Sequence, residues 1–213
     1  MTRVKICGVR TPEEARAVAE AGADAVGFVF WPQSRRYVVP EEAARIAQVL
    51  PPFVVRVGVF VNEPPEWVEE VAARVGLDAV QLHGDEPPEA CARIRRRVIK
   101  AIRVRDGDSL RTAAGYPVSA LLLDAYVPGT YGGTGRTFDW SLVESIRHLG
   151  LPLILSGGLT PENVAEAIRR VRPYGVDASS GVETHGRKDP EKIRAFVAAV
   201  RRADARREGA WAR

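Results

Sequence analysis

The sequence LILSGGLTPENV, residues Leu153–Val164, places a buried strand, a glycine turn and the start of a helix in immediate succession. Its first three residues form an apolar run, which is typical of a parallel strand covered on both faces. Gly157 and Gly158 lack a Cβ, so two successive backbone N–H groups can approach a bulky anion there. Thr160 before a proline predicts a helix N-cap. The stretch predicts either a phosphate-binding turn or a tight turn that binds nothing.

A second stretch, GVDASSGVE at Gly175–Glu183, repeats this pattern about one βα unit later. It also reads as a short strand that ends in small residues. In a (β/α)₈ barrel, the phosphate site lies between the loops after strands seven and eight. If six βα units precede these two, the sequence predicts a phosphate site formed by Gly157, Gly158, Ser180 and Gly181.

The preceding chain does alternate strand-type and helix-type stretches, separated by proline and glycine. Six earlier strands are predicted at Arg3–Cys7, Ala25–Phe30, Val54–Val61, Ala79–Leu82, Val98–Ile102 and Ala120–Leu123. A doubly wound open sheet is compatible with this order, but the count of eight strands and the paired small-residue turns favour a (β/α)₈ TIM barrel. We predict one barrel domain over residues 1–205, followed by a basic tail over residues 206–213.

Composition restricts the class of protein. With 213 residues, 46% hydrophobic and 27% charged, the chain suits one small barrel. The N-terminus has no apolar signal region, and no apolar run approaches the ~20 residues of a membrane span, which predicts a cytoplasmic protein with no membrane partner. Two cysteines and three histidines show no disulfide or metal spacing, so no metal site is predicted. The net charge of +4 is compatible with an anionic substrate, and the basic tail is interpreted as a solvated helix end rather than a nucleic-acid site.

Catalytic residues of such barrels lie at the C-terminal ends of the strands. Polar residues at those positions are Cys7, Arg35, Arg36, Asn62, His83, Asp85, Arg103 and Asp124. A free cysteine is often merely buried, but Cys7 at the barrel mouth, facing Asp124, is a candidate for proton transfer. Asp124 directly follows three leucines, which favours a role as an acid. His83 is interpreted as a hydrogen-bonding partner of a ligand rather than a catalyst.

Seven segments carry a family resemblance. They are KICG at 5–8, GFVFWPQSRRYV at 27–38, GVFVN at 58–62, QLHGDE at 81–86, LLLDAYVPGTYGGTGRTFDW at 121–140, SGGLTPENV at 156–164 and SSGVE at 179–183. In this order they resemble the phosphoribosylanthranilate isomerases of tryptophan biosynthesis. The resemblance spans nearly the whole chain.

The resemblance implies a cofactor-free barrel enzyme that acts on a phosphorylated small molecule, as a monomer or a homodimer. The family's reaction is the Amadori rearrangement of N-(5′-phosphoribosyl)anthranilate. The resemblance assigns the general base to Cys7, the general acid to Asp124 and the anthranilate carboxylate to Arg36. The family pattern before this arginine is Ser-Pro-Arg, whereas this chain has Arg35 in place of the proline. It is therefore open whether Arg35 shares the task of Arg36.

Two other functions remain open at this stage. Another phosphosugar barrel enzyme, such as an indole-forming lyase subunit or a ribulose-phosphate epimerase, would share the phosphate site. It should lack the pair formed by Cys7 and Asp124. A non-catalytic protein that binds anions or nucleic acid is suggested only by the basic tail.

Overall fold

Eight parallel strands close into a barrel in chain order, from β1 to β8. The structure is a computed structural model, and it describes residues 1–127, 131, 132, 135 and 137–210, with side chains up to residue 206. The strands are β1 Arg3–Cys7, β2 Ala25–Val29, β3 Val55–Phe60, β4 Ala79–Leu82, β5 Arg97–Val104, β6 Ala120–Ala125, β7 Leu153–Leu155 and β8 Gly175–Ala178. The predicted (β/α)₈ barrel is confirmed.

Helices connect the strands on the outside of the barrel. They are α1 Pro12–Glu20, α2 Pro40–Ala47, α3 Pro65–Val75, α4 Pro88–Ala92, α5 Gly107–Arg111, α6 Val164–Val171 and α7 Pro190–Ala210. Shorter 3₁₀ segments span Thr112–Gly115, Trp140–Leu149 and Ser180–Val182, and a small antiparallel hairpin pairs β9 Glu183–Thr184 with β10 Arg187–Lys188. Most of the α-helices begin with proline, whose fixed φ suits the first helical position. Helix α7 continues through residue 210, into the segment predicted as a tail.

The loop after β7 differs from the prediction at its helix start. Helix α6 begins at Val164 with Asn163 at the N-cap position, although the Thr160 hydroxyl accepts the Glu162 N–H at 3.3 Å as predicted. The reason is that Asn163 closes a turn of its own. Its Oδ1 accepts a hydrogen bond from the Thr160 N–H at 2.8 Å, and its Nδ2 donates to the Gly158 carbonyl at 2.8 Å. This turn holds Gly157 and Gly158 at positive φ values of 83° and 61°, where glycine is favoured.

The barrel interior changes from apolar to polar along its axis. A small apolar cluster contains Ala101, Ala120, Leu122 and Ile154. Closer to the C-terminal ends of the strands, the buried side chains are polar or charged, namely Lys5, Gln81, Asp124, Ser156 and Asp177. Burial of charged groups costs free energy unless they are paired, so this polar layer marks a site rather than a stabilising core.

The first and last strands meet at one seam. Strand β1 pairs with β8, with Lys5 opposite Asp177. At the lower end of the seam, the Thr2 N–H donates to Asp204 Oδ2 at 2.6 Å, and the Thr2 hydroxyl donates to Asp204 Oδ1 at 2.8 Å. Helix α7 thereby anchors the start of β1, and the closed barrel leaves no edge strand exposed.

Two properties of the described ranges bear on membranes and metals. None of the helices there combines the length and the apolar character that crossing a bilayer requires. Those same ranges hold no cluster of three or more His, Cys, Asp or Glu side chains suited to a metal ion. The cytoplasmic location, the oligomeric state and the domain limits stay predictions.

Candidate active site

A cavity of about 440 Å³ opens at the C-terminal ends of the strands. The residues that line it come from most of the barrel: Cys7, Val29, Trp31, Gln33, Ser34, Arg35, Arg36, Val59, Val61, Gln81, His83, Asp124, Tyr131, Gly132, Ser156, Asp177 and Ser179. Four of the predicted site residues, namely Cys7, Arg36, His83 and Asp124, therefore share one cavity. They come from β1, from the loops after β2 and β4, and from β6.

A smaller recess of about 20 Å³ adjoins this cavity on the side of β7 and β8. Three of the four residues predicted to bind phosphate line it, namely Gly157, Gly158 and Ser180. The fourth, Gly181, has a different place. A Cβ on Gly181 would lie 1.9 Å from the Leu159 carbonyl oxygen, so its role is to let the two loops touch backbone to backbone.

The Cys7 thiol is placed by two neighbouring strands. Successive side chains of a strand point to opposite faces, so Cys7 and Lys5 of β1 both point into the barrel. Cys7 lies beside Gly27 of β2 in the strand register. A Cβ at Gly27 would be 2.8 Å from Cys7 Sγ. Glycine at this position therefore makes room for the thiol.

Charged groups surround this thiol. Burial raises the pKa of Cys7, and Asp177 raises it further, while Lys5 and Lys188 oppose the rise. Lys5 Nζ donates to Asp177 Oδ1 at 2.9 Å, and both side chains are buried. Burial lowers the pKa of Lys5, but the charges of Asp177 and Cys7 outweigh it and raise that pKa above its ordinary value. Lys5 is thus a buried cation beside the thiol.

Asp124 belongs to a buried chain of hydrogen bonds. Its Oδ2 lies 3.2 Å from His83 Nε2, and its Oδ1 accepts the Ala125 N–H at 2.9 Å. Gln81 Nε2 lies 2.8 Å from His83 Nδ1. Because an amide nitrogen only donates, Nδ1 accepts, and Nε2 carries the hydrogen that is donated to Asp124.

The amide of Gln81 can also support the opposite direction. As placed, its Oε1 is buried and has no hydrogen bond from the described residues. A half-turn of the amide would let Oε1 accept from His83 Nδ1, so that Nε2 could accept a proton from a protonated Asp124. The chain from Gln81 through His83 therefore suits both protonation states of Asp124.

Gly132, which follows β6, lies against this pair. A Cβ on Gly132 would be 3.1 Å from Asp124 Oδ2 and 3.1 Å from His83 Cε1. Gly132 also has a positive φ of 77°. The close approach and the backbone conformation both require glycine at position 132.

Arg36 has a partner that the sequence interpretation did not include. Its Nε donates to Glu183 Oε1 at 2.6 Å, and its Nη2 donates to Glu183 Oε2 at 2.9 Å. One edge of the guanidinium is thus occupied by a carboxylate of the protein. Nη1 has no hydrogen bond to the described residues, so the end of the guanidinium formed by Nη1 and the second hydrogen of Nη2 is available, and Arg36 lines the cavity.

Glu183 joins three cations. Besides Arg36, it accepts from Lys188 Nζ at 2.8 Å and from Arg35 Nη2 at 3.1 Å. Burial favours a higher pKa for Glu183, but the hydrogen bonds and charges of Arg36 and Lys188 outweigh it and lower the pKa to about 2. Arg35 differs from Arg36 because its side chain is 62% exposed, against 8%. The guanidinium of Arg36 is therefore held rigidly without the proline at position 35.

Five buried polar residues near the site were not assigned a role from the sequence: Lys5, Gln81, Asp177, Glu183 and Lys188. A signal for two of them exists in the spacing. Lys5 precedes Cys7 by two residues, and Gln81 precedes His83 by two, so strand alternation places each pair on one face. Asp177, Glu183 and Lys188 are joined to the site by the barrel seam and the hairpin, which no local pattern shows.

Comparisons with known proteins agree with one another. The family model described as N-(5′-phosphoribosyl)anthranilate isomerase matches residues 4–199. The N-(5′-phosphoribosyl)anthranilate isomerase of Trichlorobacter lovleyi is 56% identical over 198 residues, which is 92% of this chain and 97% of that protein.

Solved structures are also similar to this chain. The crystal structure of phosphoribosyl anthranilate isomerase from Thermotoga maritima superposes with a TM-score of 0.88 at 51% identity, covering 94% of this chain and 99% of that chain. A phosphoribosyl anthranilate isomerase in complex with reduced 1-(o-carboxyphenylamino)-1-deoxyribulose 5-phosphate gives a TM-score of 0.86 at 50% identity, with the same coverage.

Proposed function

Because the chain belongs to the N-(5′-phosphoribosyl)anthranilate isomerase family, we propose that it catalyses the isomerisation of N-(5′-phosphoribosyl)anthranilate in tryptophan biosynthesis. The product is 1-(2-carboxyphenylamino)-1-deoxyribulose 5-phosphate. The observation that carries this proposal is that Cys7 and Asp124, a thiol and a carboxyl group, line the same cavity from non-adjacent strands. An aldose-to-ketose isomerisation needs such a pair, because one group must donate a proton and another must remove one.

The substrate phosphate is assigned to the recess between β7 and β8. Gly157, Gly158 and Ser180 line that recess, and their backbone N–H groups are the proposed donors. Gly181 contributes by letting this loop approach Leu159. Shape, rather than a particular charged side chain, would then define the phosphate site.

The anthranilate carboxylate is assigned to Arg36, which lines the larger cavity together with Cys7 and Asp124 and does not line the recess. Since Glu183 holds the edge formed by Nε and Nη2, the end formed by Nη1 and the second hydrogen of Nη2 is the one available to a ligand. A guanidinium can donate two parallel hydrogen bonds from this end to a carboxylate, a geometry that lysine cannot reproduce. The phosphate and the carboxylate would fix the sugar between them, above Cys7 and Asp124.

The first chemical step is ring opening. Protonated Asp124 donates its proton to the furanose oxygen as the bond between C1′ and that oxygen breaks. The lone pair of the anthranilate nitrogen forms the C1′=N⁺ bond, which gives a Schiff base. His83, hydrogen-bonded to Gln81, orients Asp124 and stabilises the carboxylate that remains.

The second step is proton abstraction. The cationic imine makes the hydrogen on C2′ acidic, and the Cys7 thiolate removes it. The C2′–H electron pair forms a C1′=C2′ bond, and the C1′=N⁺ pair returns to nitrogen. The resulting enolamine tautomerises to the ketone by losing the C2′ hydroxyl proton and gaining a proton at C1′. The substrate nitrogen serves as the electron sink for this sequence.

Turnover of substrate made in situ tests the proposal. Anthranilate and phosphoribosyl pyrophosphate, combined with an anthranilate phosphoribosyltransferase, produce the substrate in the cuvette. We expect its fluorescence to disappear at a rate proportional to the concentration of this protein. A rate no greater than that of the uncatalysed reaction would refute the proposed function, whereas removal of residues 206–213 should leave the rate unchanged.

Replacement of Arg36 by lysine tests the carboxylate assignment. We expect Arg36→Lys to raise KM about tenfold or more, because the lysine ammonium cannot donate two parallel hydrogen bonds to the substrate and leaves Glu183 partly unpaired. Inhibition by inorganic phosphate should change little, because the phosphate recess adjoins β7 and β8. Steady-state kinetics with phosphate as the inhibitor measures both quantities.

Arg35 provides the matched control. Its guanidinium also contacts Glu183, but its side chain is 62% exposed. We expect Arg35→Ala to leave KM within about twofold, since exposed ion pairs contribute little. If Arg35→Ala raises KM and Arg36→Lys does not, the carboxylate contact lies one residue earlier than proposed.

A further inference from the structure

We infer that Lys5 is a positioning residue for the proposed base: its ammonium stabilises the Cys7 thiolate, and Asp177 competes with the thiol for that ammonium. The inference rests on the proposed function of Cys7. It adds a three-group unit, formed by Lys5, Asp177 and Cys7, at the seam between β1 and β8. The unit would set how readily Cys7 becomes a base.

The geometry places the ammonium and the thiol together. Lys5 and Cys7 are two residues apart on β1 and point into the barrel on the same face. A Cβ at Gly27 would meet Cys7 Sγ at 2.8 Å and Lys5 Cε at 3.2 Å, so both side chains converge on the space that this glycine leaves. Lys5 Nζ donates to Asp177 Oδ1, and the charge of Lys5 also acts on the thiol, where it opposes the rise in the pKa of Cys7.

Asp177 lies opposite Lys5 in the register of β1 and β8. Its Oδ1 accepts from Lys5 Nζ at 2.9 Å, and its Oδ2 lies 3.5 Å from Ser156 Oγ. The next inward-pointing residue after Lys5 on β1 is Cys7. The single ammonium of Lys5 therefore faces two acidic groups, the Asp177 carboxyl and the Cys7 thiol.

The other charged groups around the cavity have different partners. They are Lys188, Glu183, Arg35 and Arg36 on the β2 and β8 side, and His83 and Asp124 on the β4 and β6 side. Glu183 engages Lys188 and both arginines. Lys188 also donates to the carbonyl and hydroxyl oxygens of Ser179, at 3.1 and 3.3 Å. Lys5 is the cation whose carboxylate partner lies beside the thiol.

The charge balance also favours ionisation of Cys7. With Asp124 protonated, as ring opening requires, the buried cations Lys5, Lys188 and Arg36 face the buried anions Asp177 and Glu183. A thiolate at Cys7 balances the surplus positive charge. In the reaction, the thiolate takes the C2′ proton and becomes a neutral thiol, while Lys5 remains an ammonium throughout.

The rate at which Cys7 is alkylated, measured against pH, tests this unit without any substrate. The chain has two cysteines, so a Cys91→Ser background leaves Cys7 as the only thiol. Iodoacetamide reacts with the thiolate, and the mass increase of the intact protein reports the rate at each pH. In this background we expect Lys5→Met to move the inflection of the curve of alkylation rate against pH upward by about one pH unit or more, because a neighbouring cation is lost.

Asp177→Asn should move the inflection the other way. It removes an anion beside the thiol and frees Lys5 for Cys7, so we expect a downward shift of about one pH unit or more. Loss of packing alone would not produce opposite shifts in the two variants. Lys100→Met is the matched control, since Lys100 forms another buried ion pair, with Glu86, and should leave the inflection unchanged.

The inference is wrong if Lys5→Met titrates like its parent, or if Asp177→Asn moves the inflection upward or not at all. If Lys5→Met does not fold, the direction in which Asp177→Asn moves the inflection is sufficient to support or refute the inference. Opposite shifts in a protein that fails to turn over the substrate would support the unit and refute the proposed function. Opposite shifts together with turnover would support both.

Discussion

Cys7→Ala and Asp124→Asn are each expected to lower kcat by about 10²-fold or more, the usual contribution of a general acid or base. Neither change removes a proposed contact to the phosphate or the carboxylate. The dissociation constant for reduced 1-(o-carboxyphenylamino)-1-deoxyribulose 5-phosphate should therefore stay within a few-fold of the parent value. Single-turnover kinetics and titration calorimetry measure the two quantities separately.

Cys91→Ala is the control for the first of these variants. Cys91 is buried in α4, away from the cavity, so its loss should affect stability but not kcat. Cys7→Ala activity close to that of the parent would show that another group removes the C2′ proton. Asp124→Asn should fail earlier, at ring opening, so that no Schiff base accumulates.

The second large effect is expected at Gly181. Its backbone does not have a positive φ, so alanine is tolerated by the chain conformation itself. The new Cβ would nevertheless lie 1.9 Å from the Leu159 carbonyl oxygen and 3.2 Å from Thr160 Cα. The loops after β7 and β8 must then separate. We expect Gly181→Ala to raise both KM and the inhibition constant of inorganic phosphate about 10- to 100-fold.

Gly107→Ala is the matched control for this change. Gly107 opens helix α5, and a Cβ there would meet no atom within 4 Å. Alanine also has the higher helix propensity, so the variant should be as active and as stable as the parent. If Gly181→Ala binds phosphate as well as Gly107→Ala does, the phosphate does not lie between these two loops.

The strands could be predicted from the sequence because proline and glycine mark their ends. Several predicted strands, such as Ala79–Leu82 and Leu153–Leu155, have the same limits in the structure. Helix α6 begins later than the Thr-Pro pair predicts, although the Thr160 hydroxyl does accept the Glu162 N–H. Only the observed hydrogen bonds of Asn163 show that this side chain closes the turn first.

Some of the residues that line the site could also be predicted, because they follow directly on the predicted strands. The polar residues that follow each strand are visible in the sequence, and Cys7, Arg36, His83 and Asp124 do line one cavity. The hydrogen-bonding partners of these residues could not be predicted. The position of Glu183 beside Arg36 depends on how the hairpin after β8 folds back, and that depends on contacts between residues 147 positions apart.

The seam between β1 and β8 has a consequence for how the active protein is made. The thiol is near the beginning of the chain, whereas Asp177 and Lys188 are near its end, and the pairing of Lys5 with Asp177 joins residues 172 positions apart. During synthesis, Cys7 therefore lacks the Lys5–Asp177 ion pair beside it until β8 has emerged. Contacts between such distant residues form slowly. A ribosome-bound chain that lacks β8 could fold many of its helices, yet the ion pair proposed to act on Cys7 would be absent.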